Sequence, residues 1–321
     1  MNTVSFLSPV QEQLQLVEAR LHAQADDRHP DLRAALEQIL SAGGKRIRPT
    51  LGLLVGNMLG APEQRLVTLG AAVELLHTAT LVHDDLIDGS LLRRGMPTLN
   101  ARWSPAATVL TGDFMFARAA KLAAETDHLP LMNRFAETLA TIVNGELNQM
   151  FGSRGVISRE NYYLRIYAKT ASLFEMTTAA AAMISPAGAD MIETMRQLGY
   201  ELGMAFQIVD DVLDFTGEQT TVGKPLGSDL LNGLVTLPAI YFAEANPEDE
   251  DVLALSDGGW ANQERMTRLV ESIRSTDSVK RAMQEANEHV ERALQILRAF
   301  EASPEREALE NLAKFIVDRK V

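Results

Sequence analysis

Two pentapeptides constrain this chain more than anything else in it: Asp84-Asp85-Leu86-Ile87-Asp88 and Asp210-Asp211-Val212-Leu213-Asp214. Each closes an apolar stretch with helical spacing. At about 3.6 residues per turn, Asp84 and Asp88 project from one helix face, as do Asp210 and Asp214. Like charges at that spacing repel, so a helix carries them at a cost unless a cation is present. The expected fold sets the two carboxylate rows opposite each other across a helical bundle, where they hold hard divalent cations. Basic residues follow both rows. That combination suits a strongly anionic substrate, and diphosphate is the obvious candidate.

The rest of the chain agrees with a bundle. Helical periodicity covers 10–22, 32–42, 49–59, 62–88, 106–126, 131–151, 158–184, 190–215, 237–245, 262–272, 277–301 and 304–319, and strand-like alternation is nearly absent. Pro49, Pro62 and Pro304 stand at or near helix starts, where a missing N–H costs little. Asp190 and Asp277 are expected N-caps. No Pro/Gly-rich linker divides the sequence, so one all-α domain over 1–321 is expected. Two segments read as functional loops: 89–105, carrying Arg93-Arg94-Gly95, and 217–233, carrying Gly223-Lys224-Pro225.

Composition narrows the function. A hydrophobic share of 46% can bury a large core, and the sparse aromatics favour helix over sheet. A net charge of −13 argues against nucleic acid as a partner. The absence of cysteine excludes disulfides and thiolate metal sites. No basic region followed by an apolar run opens the sequence, and no uninterrupted apolar stretch reaches membrane-spanning length. A cytoplasmic enzyme is expected.

The candidate chemistry gathers in a few places. Mg²⁺ takes one or two carboxylates, keeps waters and completes its shell with phosphate oxygens. Asp84, Asp88 and Asp210 supply such carboxylates. One Asp-rich helix end is as readily explained by simple solvation, but two copies, each preceded by an apolar helix, are not. An EF-hand pattern is absent. Arg93 and Arg94 offer planar forks that match phosphate oxygens. In Gly43-Gly44-Lys45-Arg46-Ile47-Arg48-Pro49, glycines allow close approach and the cations stand at a helix start, where the dipole also favours anions. Lys169 and Thr170 lie inside an apolar helix, where a lysine must snorkel or meet an anion. His77 lies two turns before Asp84 on the same face.

The ordered segments GGKRIRP, HTATLVHDDLIDGSLLRRGMPT, GDFMFARA, GELNQM, YAKTASLFE, FQIVDDVLDFTG and GKPLGSDLLNGLVTLP closely resemble the trans-polyprenyl diphosphate synthases. The resemblance runs from about residue 39 to residue 319. It implies an all-helical isoprenoid synthase-like fold around a deep cavity, usually a homodimer, and Mg²⁺-dependent head-to-tail condensation of isopentenyl diphosphate with an allylic diphosphate. It implies two or three Mg²⁺ ions bound with the substrate diphosphate. Asp84, Asp88 and Asp210 are the implied ligands, supported by Asp211 and Asp214 through water or hydrogen bonds. Arg93, Lys169 and Lys224 are implied for the allylic diphosphate, and Lys45, Arg48, His77 and Arg94 for isopentenyl diphosphate. Thr170 and Gln207 resemble the polar groups placed near the developing allylic cation. Where the family usually has a second lysine, this chain has Leu234.

Product length is expected to depend on the helix beneath Asp84. Thr80 and Leu76 lie one and two turns below it, with Ala79 alongside. Short-chain members often place bulky aromatics where this chain has Ala79 and Thr80, so a product of twenty-five carbons or longer is expected. Phe114, Phe116 or Met150 are alternative floors that would stop growth at the twenty-carbon geranylgeranyl product. A class I terpene cyclase is disfavoured by the second Asp row, and a non-catalytic regulatory subunit by the presence of both rows.

Overall fold

The computed structural model describes residues 6–26, 29–41, 43–152, 154–216, 225–256 and 258–319. It is all-α. The helices are α1 (Gln11–His22), α2 (Pro30–Ser41), α3 (Ile47–Met58), α4 (Glu63–Ile87), α5 (Pro105–Ala124), α6 (Leu129–Phe151), α7 (Arg159–Ile166), α8 (Ser172–Met183) and α9 (Ala189–Thr216). The single turn α10 (Ser228–Leu231), α11 (Leu237–Ala245), α12 (Glu250–Ser256), α13 (Gln263–Arg274), α14 (Ser278–Arg298) and α15 (Pro304–Asp318) follow. The strands among the described residues are two dipeptides, β1 (Leu92–Arg93) and β2 (Met96–Pro97), paired antiparallel.

Boundaries follow local chemistry. Ser104 and Ser158 cap α5 and α7 by accepting the Ala107 and Asn161 N–H groups at 3.3 and 3.2 Å. Two expected caps differ. Asp190 falls inside the first turn of α9. Asp277 occupies the N-cap position of α14, but its carboxylate is taken by Lys280 Nζ at 2.8 Å instead of the backbone. The periodicity over 158–184 reads as one helix. The structure interrupts it with a π-helical turn, Tyr167–Ala171, between α7 and α8.

The chain forms two compact units, one comprising 1–137, 176–196 and 302–309, the other 138–175, 197–301 and 310–321. In the first, α4 is the central element and packs against α1, α3 and α5. Every residue from Leu66 to Leu76 is buried, Thr68 and Glu74 included, so this stretch is enclosed on all sides rather than amphipathic. Of the described helices, α4 is also the one whose length and composition would allow a membrane crossing, yet 78% of its most apolar window is buried inside the protein. In the second unit, α11 packs on the apolar stripe of α14, which runs through Ala282, Ala286, Val290, Ala293 and Leu297.

Candidate active site

The first Asp row ends α4. Asp88 is its C-cap and donates its N–H to the Asp84 carbonyl at 2.8 Å. The accessible face of α4 runs through His77, Thr80, Leu81, Asp84 and Asp88, the spacing of one helical stripe. Asp85 points the other way and is buried. Arg93 Nε bonds both Asp85 oxygens at 2.9 and 3.0 Å, and Nη2 lies 2.8 Å from Oδ1. Nothing in the sequence alone assigns Asp85 a role. Its signal there is only a carboxylate eight residues before an Arg, across a turn that reverses the chain.

That reversal is the β1–β2 hairpin. Arg94 and Gly95 both have positive φ, 51° and 75°, as a two-residue type I′ turn requires. The left-handed Arg94 sends its guanidinium to the Gly43 carbonyl. It also fills the space where a side chain at Gly44 would stand, with Nη1 2.9 Å from an ideal Cβ there. The hairpin and the Gly43-Gly44 segment therefore meet. Arg46 separates from its neighbours in the same motif. It bonds Glu18, Glu74 (2.7 Å) and the Leu40 carbonyl (3.0 Å), tying α1, α2 and α4 together. Lys45 is exposed and Arg48 half-buried.

Electrostatics link these cations to His77. Burial, then the positive charges of Arg48, Arg94, Arg93 and Arg46, hold the His77 imidazole well below its usual range. It is neutral at physiological pH and offers a single N–H. The structure thus brings Arg48 of α3 and Arg94 of the hairpin into one positive neighbourhood around His77 of the row-bearing helix.

The wall residues divide. Leu76 and Ala79 are each 0% exposed, whereas Thr80 keeps accessible surface and donates its hydroxyl to the His77 carbonyl at 2.7 Å. Leu76 and Ala79 are packed inside the unit. Among the alternative floors, Phe116 lies edge-on to His83, at 5.3 Å between ring centroids, and Met150 is 52% exposed.

The second row belongs to the other unit. Asp210 is partly exposed, and its Oδ1 lies 2.8 Å from Arg319 Nη1. Asp211 is buried and accepts hydrogen bonds from Tyr162 Oη at 2.8 Å and Gln207 Nε2 at 2.9 Å. Burial, then the nearby Asp229 charge, push its carboxyl up to about 7, against those two hydrogen bonds. Asp214 caps α10, accepting from Ser228 N, Ser228 Oγ and Asp229 N at 3.1, 2.8 and 3.2 Å. Thr170 donates to Gln207 Oε1 at 2.6 Å, so Thr170, Gln207 and Asp211 form a chain from the π turn to the row. Lys169, on the same turn, is exposed and pairs with Glu146 at 2.8 Å. π-turns inside helices are frequent at functional sites. Leu234 is half-buried, while Lys224 and the loop over 217–224 lie outside the described residues.

Among the described residues, no three His, Cys, Asp or Glu side chains converge as a self-sufficient metal centre. The rows offer only carboxylate oxygens. Such a donor set fits Mg²⁺, which takes few protein ligands and completes its octahedron with phosphate and water.

The family description polyprenyl synthetase matches residues 29–273. An all-trans-nonaprenyl-diphosphate synthase (geranyl-diphosphate specific) from Rhodobacter capsulatus is 38% identical over 88% of this chain and 87% of its own. Heptaprenyl diphosphate synthase component 2 of Geobacillus stearothermophilus is 34% identical over 98% of this chain and 97% of its own. A polyprenyl synthase of Caulobacter crescentus, solved with calcium and isoprenyl diphosphate, superimposes with a TM-score of 0.91 at 33% identity, over 99% of this chain and 98% of that one. The all-α architecture is thus that of a known group, and this chain belongs to the polyprenyl synthetase family of prenyltransferases.

Proposed function

We propose that the protein condenses isopentenyl diphosphate head-to-tail with an allylic diphosphate, giving a polyprenyl diphosphate of twenty-five carbons or more. The observation that carries this reading is the carboxylate row of α4 in one unit with the Arg48–His77–Arg94 cluster: His77 stands two turns before Asp84 on the same helix face, and Arg48 of α3 and Arg94 of the hairpin bring their charges to it. Asp84, Asp88 and Asp210 are the Mg²⁺ ligands in this reading. When bound, Mg²⁺ supplies Lewis-acid stabilisation of the departing diphosphate.

The chain's own residues do the rest. Lys45, Arg48 and Arg94 hold the isopentenyl diphosphate, and neutral His77 donates one hydrogen bond to it. Lys169, Arg93 and Lys224 take the allylic diphosphate, with Lys169 turning from Glu146 to do so. The Gln207 carbonyl is oriented by Thr170 and its amide by Asp211, so this side chain presents a fixed dipole toward a developing allylic cation. Water must be kept away, since it would trap that cation. The released diphosphate accepts the proton lost from the new carbon chain.

The protein is a homodimer in this reading. Exposed Val143, Leu147, Met150 and Phe151 support it: they lie along α6 at helical spacing, and Phe151 is 81% exposed. The Geobacillus relative is named as a component, which favours a second arrangement in which the stripe takes a different chain. Light scattering of the purified protein separates the two, since a monomer alone would require the second partner. For the activity, purified protein is incubated with isopentenyl diphosphate and primers of several lengths, with Mg²⁺ and with a chelator. Elongated products that vanish with chelator support the reading, and no elongation from any primer defeats it.

A further inference from the structure

Arg319, just beyond the end of α15, has a guanidinium whose three nitrogens each have a different partner. Nη1 lies 2.8 Å from Asp210 Oδ1. Nη2 donates to the Phe206 carbonyl at 2.9 Å, and Nε to the Ile316 carbonyl at 3.1 Å. Its plane also sits 4.0 Å over the Phe206 ring. Only 8% of the side chain is exposed, against 40% for Asp210. The cation is therefore fixed and the carboxylate reaches outward from it. A cation anchored to two carbonyls and an aromatic face is not poised to swing away when another cation arrives.

A carboxylate that ligates a metal through one oxygen is held in place by a hydrogen bond to the other, and such supporting bonds govern metal affinity. We propose that Arg319 is the positioning residue for Asp210: it fixes the rotamer of the second row's leading carboxylate in advance of Mg²⁺ and diphosphate. This rests on the reading of Asp210 as a metal ligand. The same geometry explains how a metal-free row tolerates its own charge, because one of its carboxylates already has a permanent counterion. It predicts that lysine is a poor replacement. One ammonium on an unbranched stem cannot reach a carboxylate and two carbonyls on different sides together.

The test measures binding, not turnover. Inorganic diphosphate is titrated into full-length protein by calorimetry at a series of Mg²⁺ concentrations, for wild type, Arg319→Ala, Arg319→Lys, Asp210→Asn and the Asp210→Asn/Arg319→Ala double variant. Circular dichroism melting accompanies each. Arg319→Ala should raise the Mg²⁺ concentration needed for half-maximal diphosphate binding by about tenfold, in the range for lost supporting bonds. Arg319→Lys should recover only part of that shift. In the Asp210→Asn background the Arg319 change should add nothing. An unshifted Mg²⁺ midpoint in both Arg319 variants, with Asp210→Asn shifted, overturns the positioning role alone. So does tighter Mg²⁺ binding in Arg319→Ala, which would make the arginine a competitor, or an equal shift in the Asp210→Asn background. An unshifted Asp210→Asn overturns the metal-ligand reading itself.

Discussion

Arg93 grips Asp85 with both carboxylate oxygens engaged, Nε lying 2.9 Å from one and 3.0 Å from the other. The pair joins the buried side of the first Asp row to the hairpin that carries Arg94. Arg93 therefore has a structural duty besides any contact with diphosphate.

This relationship gives the first prediction. Arg93→Ala leaves a buried carboxylate without its partner, and losing hydrogen bonds to a charged group costs about 1.5–3 kcal/mol. Half-exposed Arg93 puts the expected cost toward the lower end. Lys45→Ala, at an exposed position, should leave Tm unchanged while weakening isopentenyl diphosphate binding. Thermal melts of the two variants check this. Equal Tm values for both would show that the Arg93–Asp85 pair contributes nothing to stability.

The rows themselves give the second. Asp84→Ala and Asp210→Ala should each reduce turnover to near zero without loss of helical signal, since both carboxylates stand at accessible positions at helix ends. Lys169→Ala should mainly weaken allylic diphosphate binding, by an amount on the order of 1.5–3 kcal/mol. Steady-state kinetics with varied Mg²⁺ and circular dichroism provide the readouts. Near-normal Mg²⁺-dependent turnover in either Asp variant would remove that residue from the metal set.

Much of this was legible in the sequence because the relevant patterns are local. Long apolar periodicity located α4 and α9 within a residue or two at each end, and the Asp pairs fall at their C-terminal ends as expected. What could not be read depends on distant partners. Within Lys45-Arg46-Ile47-Arg48, nothing local distinguishes the cation that faces solvent from Arg46, which is claimed by Glu18 and Glu74 from two other helices. The same holds for Asp85 and Arg319, whose partners come from a hairpin and from Phe206 and Asp210 on α9. The π turn at Tyr167–Ala171 leaves the apolar pattern nearly unchanged, so a continuous helix over 158–184 was the natural reading.

A third prediction concerns acid stability. Glu201 is 4% exposed and accepts from His289 Nδ1 at 2.6 Å, Arg292 Nε at 2.9 Å and Gln197 Nε2 at 2.7 Å. Burial works to raise its carboxyl, but the hydrogen bonds and charges of His289 and Arg292 outweigh it and hold it below the usual carboxylate range. A depressed folded-state pKa contributes stability that is present above the unfolded value, about 4.3, and is lost as pH falls through the folded one. Glu201→Gln should therefore cost stability at pH 7 and flatten the acid limb below about pH 4.3. Urea unfolding across pH 3 to 7 measures both. Parallel pH profiles for the variant and the wild type would exclude Glu201 as a source of the acid sensitivity.

The last prediction concerns product length. Thr80 lies one turn below Asp84 on the accessible stripe of α4, and its hydroxyl already folds back onto the His77 carbonyl at 2.7 Å. A ring at this position projects from the open face. One turn advances about 5.4 Å along the helix, comparable to one extended prenyl unit. Thr80→Phe should therefore shorten the product by at least one unit. Ala79 and Leu76, each 0% exposed, behave differently. A phenylalanine there must overpack a filled interior, at a cost of about 1–3 kcal/mol. Those variants should melt earlier and, where folded, keep the wild-type product. The wild type itself should extend chains past fifteen carbons, to twenty-five or more, because no aromatic stands on the first turn below the row. Chromatographic sizing of products with ample isopentenyl diphosphate decides the matter. A wild type that stops at fifteen carbons removes the open-face argument, and an Ala79→Phe enzyme with wild-type Tm and a shorter product would put the growing tail against Ala79 instead of Thr80.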